Sequence, residues 1–324
     1  MKVVFINDCC EDAKCFRKYL PKEIFSEHIL RSRGLWSKTV GIFWKLLHAD
    51  GDLYHVHYAL QDAYLTLKLG KHPLILQCCG TDVRDTLDSK WGWIVRYDLE
   101  NADKVLCNQR NILKKAKEYN PTAEYFPIPY DPELFNSEPR YIFQDDIQLV
   151  KQRLKGKIVF HPSRHWWSVK ENNKIFKVLS LFKDDVTVLT VKYGRDWTKS
   201  WFLAKKLGLH VVWLDHVPHE EMPMLYHYAD VVVGNAGVGQ LDTIAIESMA
   251  CGKPTVHYVN EFYPDVPLLH DSSKFPEQVE TFLFDEKKTK RWVEKQLDYV
   301  QKNHNVKVLI PKLLKIYREV WLNA

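Results

Sequence analysis

The chain has 324 residues, 46% of them hydrophobic and 27% charged, and its 46 basic against 41 acidic residues leave a formal net charge of +5. These proportions exclude a disordered or fibrous chain, and the excess of positive charge suits phosphate-bearing ligands or an anionic surface while being too small for a nucleic-acid binder. The length exceeds what a single core usually serves, so two domains of about 150 residues each are expected.

No run of about 18 apolar residues is present, so no helix is expected to span a bilayer. Met1 leads straight into the strand-like Lys2-Val3-Val4-Phe5-Ile6 with no leader pattern, and a cytoplasmic protein is expected, at most peripheral at the inner face of a membrane. The seven cysteines (Cys9, Cys10, Cys15, Cys78, Cys79, Cys107, Cys251) are odd in number and show no C-x-x-C spacing, which predicts reduced thiols and no metal site.

In chain order, Val3 to Ile6, Leu53 to Val56, Leu74 to Gln77 and Lys104 to Cys107 are short apolar runs separated by amphipathic stretches. That alternation predicts a doubly wound α/β domain whose ligands sit beyond the carboxyl ends of parallel strands. Between the first two runs, Arg31 to His48 (RSRGLWSKTVGIFWKLLH) places Trp36, Val40, Phe43, Trp44 and Leu47 at helical spacing among Arg31, Arg33, Lys38 and Lys45. Such a stripe more often packs on its own sheet; the other reading lays it in a membrane interface, where a lipid-linked acceptor would be found. His55 and His57 alternate along a buried-type strand, which predicts one facing an open site and one a helix, with His57 the choice for the site. A proline-rich passage, Phe126 to Pro132, leads to a linker expected at about 136–156.

A second α/β series follows, with strands predicted at Lys157 to Phe160, Val186 to Val191, His210 to Leu214, Val231 to Val233 and Pro254 to His257. The tail, Lys287 to Leu322, is apolar at helical intervals and predicts helices broken near Pro311. The domains are therefore expected at 1–140 and 155–305, with a last helix at about 307–324 returning to the first.

Two loops of the second series carry chemistry. His161-Pro162-Ser163-Arg164-His165-Trp166-Trp167-Ser168-Val169-Lys170 follows a strand and holds two cations that could contact a diphosphate. Taken by itself, such a loop is more often a solvated surface loop, and Trp166-Trp167 could equally stack on a ligand or cap the domain. After Val231-Val232-Val233 comes the glycine loop Gly234 to Gln240, then Asp242, Thr243 and a helix containing Glu247. Glycines let backbone approach a ligand, and the helix start favours anions. A carboxylate among apolar neighbours must be paired or accept hydrogen bonds, and ribose hydroxyls would serve, as would a local structural partner.

The segment Ile244-Ala245-Ile246-Glu247-Ser248-Met249-Ala250-Cys251-Gly252-Lys253-Pro254-Thr255-Val256 resembles the LEAMACGxPVV signature of family 4 retaining glycosyltransferases and their GT-B relatives. Residues 210–230, HVVWLDHVPHEEMPMLYHYAD, are similar to another passage of that family. Asp52 to His57, Cys79-Gly80-Thr81-Asp82 and Asn101-Ala102-Asp103-Lys104-Val105 extend the resemblance into the first half.

The resemblance implies two Rossmann-like domains facing across a cleft, and transfer of a sugar from a UDP- or GDP-linked donor to an acceptor hydroxyl, with retention and without a metal or other cofactor. By it, Glu247 binds the ribose, Arg164 and Lys170 the diphosphate, and the backbone at Val217 the base, with Gly239, Asp242 and Thr243 lining the donor. The acceptor, a glycan, lipid-linked or protein hydroxyl, would meet Asp8, His57, Thr81 and the candidate base Asp82, with Asp12 a weaker choice. The chain departs from the pattern at Gly239, where the family's sugar-contacting glutamate is expected, and at Cys79, which replaces a histidine. Two rivals stay open: a nucleotide-sugar epimerase of the same fold, and a degenerate member that binds without turnover.

Overall fold

The computed structural model describes residues 1–9, 11–31, 40–138 and 154–323. The chain divides into two compact units, Met1–Pro129 with Asn303–Ala324, and Tyr130–Lys302. Most of the expected linker lies outside the described residues, as do Cys10, Arg33, Trp36 and Lys38.

The first unit runs β1 (Lys2–Ile6), α1 (Asp12–Tyr19), β2 (Phe25–Ile29), α2 (Ile42–His48), β3 (Leu53–His57), α3 (Gln61–Lys68), β4 (Leu74–Cys78), α4 (Gly92–Asn101), β5 (Lys104–Cys107), α5 (Arg110–Lys117) and β6 (Glu124–Tyr125). Its six strands are parallel in the order β2-β1-β3-β4-β5-β6. Alternate residues of a strand point to opposite faces, and both faces are covered here. Val4, Ile6, Tyr54, Val56, Leu74 and Leu76 pack with α2 to α5, while Val3, Phe5, Leu53, Ile75 and Leu106 pack with α1 and with a helix from the far end of the chain.

The second unit comprises β7 (Lys157–His161), α6 (Trp167–Lys170), α7 (Asn172–Leu179), β8 (Val186–Val191), α8 (Trp197–Leu207), β9 (Val211–Leu214), α9 (Met222–Tyr228), β10 (Val231–Val233), α10 (Thr243–Ala250), β11 (Thr255–Val256), α11 (Phe275–Phe284) and α12 (Glu286–Asn303). Its strands are parallel in the order β11-β10-β7-β8-β9. The order reverses beside β7: the chain winds outward through β8 and β9, then returns to place β10 on the other side. α13 (Val306–Leu322) completes the first unit.

Three expectations are corrected. The tail breaks at His304-Asn305, where the Asn305 side chain caps the backbone N–H of Lys307; Pro311 lies inside α13. His55 and His57, two apart on β3, share a face, and their rings stack with centroids 4.6 Å apart. In α2 the side chains turned into the core are Ile42 and Leu46, whereas Val40, Phe43, Trp44 and Leu47 are exposed. These four described residues of the stripe expected to pack on the sheet therefore point outward. Among the described residues no helix is long and apolar enough to cross a membrane.

Candidate donor and acceptor sites

In doubly wound sheets the crevice for ligands opens where the strand order reverses. In the second unit that point lies between β7 and β10, and the loops that leave these strands hold Arg164 and the glycine run. The two loops are laced together by backbone: Ala236 and Val238 donate N–H bonds to the carbonyls of Lys170 and Val169 (3.3 and 3.1 Å). A Cβ on Gly237 would lie 2.1 Å from the Val169 carbonyl, so only glycine permits this approach.

Buried side chains that sequence reasoning missed fix each loop. Asn172, fully buried, accepts from the Trp166 N–H (2.9 Å) and donates to His161 Nε2 (3.1 Å), while His161 Nδ1 donates to the Val233 carbonyl (2.8 Å). Burial holds His161 neutral, with its pKa lowered to about 4. His257 clamps the glycine loop: its Nδ1 accepts from the Asn235 N–H (3.0 Å) and its Nε2 donates to the Gln240 carbonyl (2.7 Å). Those bonds fix a neutral tautomer, and burial lowers its pKa, so its 3.8 Å approach to Asp242 is not an ion pair. Neither residue carries a motif signal, although His257 directly follows the helix signature.

The guanidinium of Arg164 is exposed and lies over the rings of Trp166 and Tyr193, 4.8 and 5.6 Å from their centroids. Lys170 is tied differently, its ammonium 2.7 Å from the Asp242 carboxylate with both side chains mostly buried. Burial pushes the Asp242 carboxyl up, but the Lys170 ammonium, helped by the Ala245 N–H, outweighs it and the net shift is downward. Asp242 also caps α10 by accepting from the Ala245 N–H (3.2 Å), so Thr243 opens that helix. Glu247 is buried one turn further on and accepts from His219 Nε2 (2.5 Å) and the Tyr226 hydroxyl (3.1 Å). Burial raises its pKa against those two bonds. His219 packs on Phe135, with ring centroids 5.1 Å apart, two residues beyond Val217 in the loop after β9.

Gly239 adopts a φ of +67°, and a Cβ there would meet the Asn260 backbone N at 2.8 Å and Tyr258 at 2.9 Å. The glutamate expected at this position has neither the backbone conformation nor the room to stand there.

In the first unit the order reverses between β1 and β3. Of the four non-glycine residues with positive φ among those described, Asn7, Glu11 and Tyr58 lie in the loops leaving these two strands. Such strain gathers at functional sites. The candidate residues nearby are largely committed. Asp8 accepts from the Ala13 and Lys14 N–H groups (3.0 and 3.1 Å) at the start of α1. Asp82 is fully buried and accepts four backbone N–H bonds of 2.8 to 3.1 Å, from Ala59, Cys79, Gly80 and Val83. With both oxygens engaged it organises the loop, and burial raises its pKa against those four bonds. His57 is buried, its ring nitrogens lack hydrogen-bond partners, and burial lowers its pKa far below the usual range. Thr81 remains half-buried, bonded to the Tyr58 hydroxyl (3.1 Å). Asp12 belongs to a buried chain in which Gln77 donates to Asp12 (2.7 Å), His55 to Gln77 (3.1 Å) and Tyr317 to His55 (2.7 Å).

Residues 151–299 match the model of the family described as Glycosyl transferases group 1. Among solved structures the whole chain resembles HepE of Anabaena in complex with UDP and glucose, at 16% identity with a TM-score of 0.73, over 98% of this chain and 100% of that one. It also resembles a sucrose-phosphate synthase of Thermosynechococcus elongatus, at 14% identity with a TM-score of 0.75 over 100% of both chains. At that identity the likeness shows the fold, which is GT-B. No curated protein matches in sequence.

Proposed function

We propose that this chain, of GT-B fold and with residues 151–299 matching the glycosyl transferases group 1, is a glycosyltransferase that moves a hexosyl group from a UDP-linked sugar to an acceptor hydroxyl. The second unit holds the donor and the first the acceptor. The observation that carries the donor half is the gathering, at one switch point, of the exposed Arg164, the Lys170–Asp242 pair, the start of α10 and the carboxylate of Glu247. UDP in the related HepE structure supports uridine as the base.

In this reading Arg164 and Lys170 neutralise the diphosphate as the sugar–phosphate bond breaks, with the N–H groups at the start of α10 doing the rest, and no metal takes part. Lys170 reaches the phosphate by exchanging the Asp242 carboxylate for it, so the donor site is charged and held before ligand arrives. Glu247, kept in place by His219 and Tyr226, accepts from the ribose hydroxyls, and the backbone at Val217 meets the base. The anomeric configuration is retained, to be followed by proton NMR of the product. The strained loops of the first unit, with Thr81 at their edge, support placing the acceptor there.

Titration with a panel of UDP- and GDP-linked sugars tests the reading, with micromolar to millimolar binding of a UDP-sugar expected. Arg164→Ala should lower turnover roughly a hundred- to a thousandfold, the usual loss for a donor to developing charge. Absence of binding by every nucleotide sugar would overturn the proposal. A second reading, a protein that binds without turnover, is favoured by Gly239, whose surroundings admit no glutamate. Binding with neither hydrolysis nor transfer decides for it.

A further inference from the structure

We infer that the outer surface formed by α2, α3 and α4 of the first unit docks on an anionic lipid bilayer. The claim deepens the acceptor half of the glycosyltransferase reading, on which its link to a lipid-borne acceptor rests; the docking itself stands on this surface alone.

The outward side of α2 and the residue preceding it is apolar, with Val40, Phe43, Trp44 and Leu47 exposed by 52, 40, 62 and 43%. Ile42 and Leu46 on the opposite side already join the core, so the helix has no second face to bury. At the start of α4, Trp91 and Trp93 are exposed by 50 and 53%. α2, α3 and α4 pack in sequence on the same face of the sheet, so these side chains share one outer surface. Between α3 and α4 that surface opens into an apolar cavity of about 530 Å³ lined by Leu60, Gln61, Tyr64, Leu65, Trp91 and Ile94. A cavity of that size and lining takes a hydrocarbon chain.

Charge decides the occupant. Between Glu27 and Asp50 the chain carries Arg31, Arg33, Lys38 and Lys45 and no carboxylate. On the surface itself Lys45, Lys68, Lys90 and Arg96 are exposed, with Lys68 over the Tyr97 ring (4.2 Å) and Lys90 over Trp91 (5.3 Å). Asp62 of α3 and Asp98 of α4 are buried, Asp62 against Arg31; the exposed acids are Glu100 of α4 and, in the loop before it, Asp85 and Asp88, which pair with Arg84 and Lys115, so the positive charge prevails. Apolar side chains with tryptophans among lysines match the boundary of an anionic bilayer, where rings and methyl groups enter the acyl edge and ammonium groups meet phosphates. Another copy of this chain would present the same positive charge to it.

The test is co-sedimentation of the full chain with vesicles of phosphatidylcholine alone and of phosphatidylcholine with phosphatidylglycerol. Binding to the anionic vesicles, weakened by salt, is expected. The triple substitution Phe43→Ser, Trp44→Ser, Leu47→Ser should lower that partitioning about tenfold or more, and Lys45→Glu with Lys90→Glu should abolish the preference for phosphatidylglycerol. Circular dichroism and UDP titration of the variants check that the fold and the donor unit are intact. No binding by the unmodified chain, or equal binding by the triple variant, overturns the inference. So does a concentration-dependent dimer that the triple substitution disperses without any vesicle binding. If vesicles bind while no nucleotide sugar does, the donor reading falls and the docking surface stands.

Discussion

At the scale of single residues, the candidate donor site is distinguished by how few of its groups stand unattended before ligand arrives. Glu247 is shared by His219 and Tyr226, so His219→Ala leaves a buried carboxylate with one of two partners. Loss of a hydrogen bond to a charged group costs about 1.5–3 kcal/mol, and donor affinity measured by calorimetry should fall by roughly tenfold or more. Gly239 invites the opposite experiment. Gly239→Glu would restore the residue that the family resemblance implies, yet the left-handed backbone alone costs about 1–2 kcal/mol and the contacts with Asn260 add to it. Urea unfolding should show a destabilised protein with no gain of transfer. Asp98 supplies a pH signature. Burial, then the nearby Asp82 and Asp62, raise its pKa to about 9, and neither carboxyl oxygen has a hydrogen-bond partner. Between the ordinary carboxylate range and pH 9 the folded protein holds a proton that the unfolded chain releases, so this residue's contribution falls as pH rises, by up to about 1.4 kcal/mol per unit. Asp98→Asn should flatten that slope in denaturation measured from pH 5 to about pH 9. That Glu247 is a buried helical carboxylate in need of partners was legible in the sequence, because its neighbours are small and apolar. The surroundings of Asp82 were not legible, since a motif says which residues recur and not how their lone pairs are engaged.

At the scale of elements, the buried parallel strands were legible because both faces of each are covered, so Val231-Val232-Val233 and Leu74-Ile75-Leu76 read as unbroken apolar runs. β2 was not, since Phe25-Ser26-Glu27-His28-Ile29 lies at the sheet edge and is mostly half-exposed, and β6 has two residues. The α2 stripe was read from the right periodicity with the wrong side inward. Its seven residues include apolar side chains nearly all round, and Ile42 and Leu46 define a competing face that spacing alone does not rank. Proline was also overweighted as a helix breaker: the break falls where Asn305 offers a cap. Asn305→Ala should cost about 1 kcal/mol in chemical denaturation.

At the scale of the whole molecule, the two sheets have different strand orders, so each has its own reversal point and its own set of loops. A ligand confined to the second unit should stabilise that unit alone. UDP at a hundred times its dissociation constant contributes about 2.7 kcal/mol, and calorimetry should show one transition raised and the other unmoved. If both rise together, the units unfold as one.

The return of α13 to the first unit has a consequence for how the chain is made. Val306, Leu309, Leu313 and Tyr317 close the sheet face that carries Val3, Phe5, Leu53 and Ile75, and Tyr317 bonds His55 across 262 positions of sequence. A ribosome thus delivers the entire second unit, Tyr130–Lys302, before the piece that covers the first sheet. The earliest strands to emerge must wait with one apolar face bare, and the unit synthesised second is the one free to finish first.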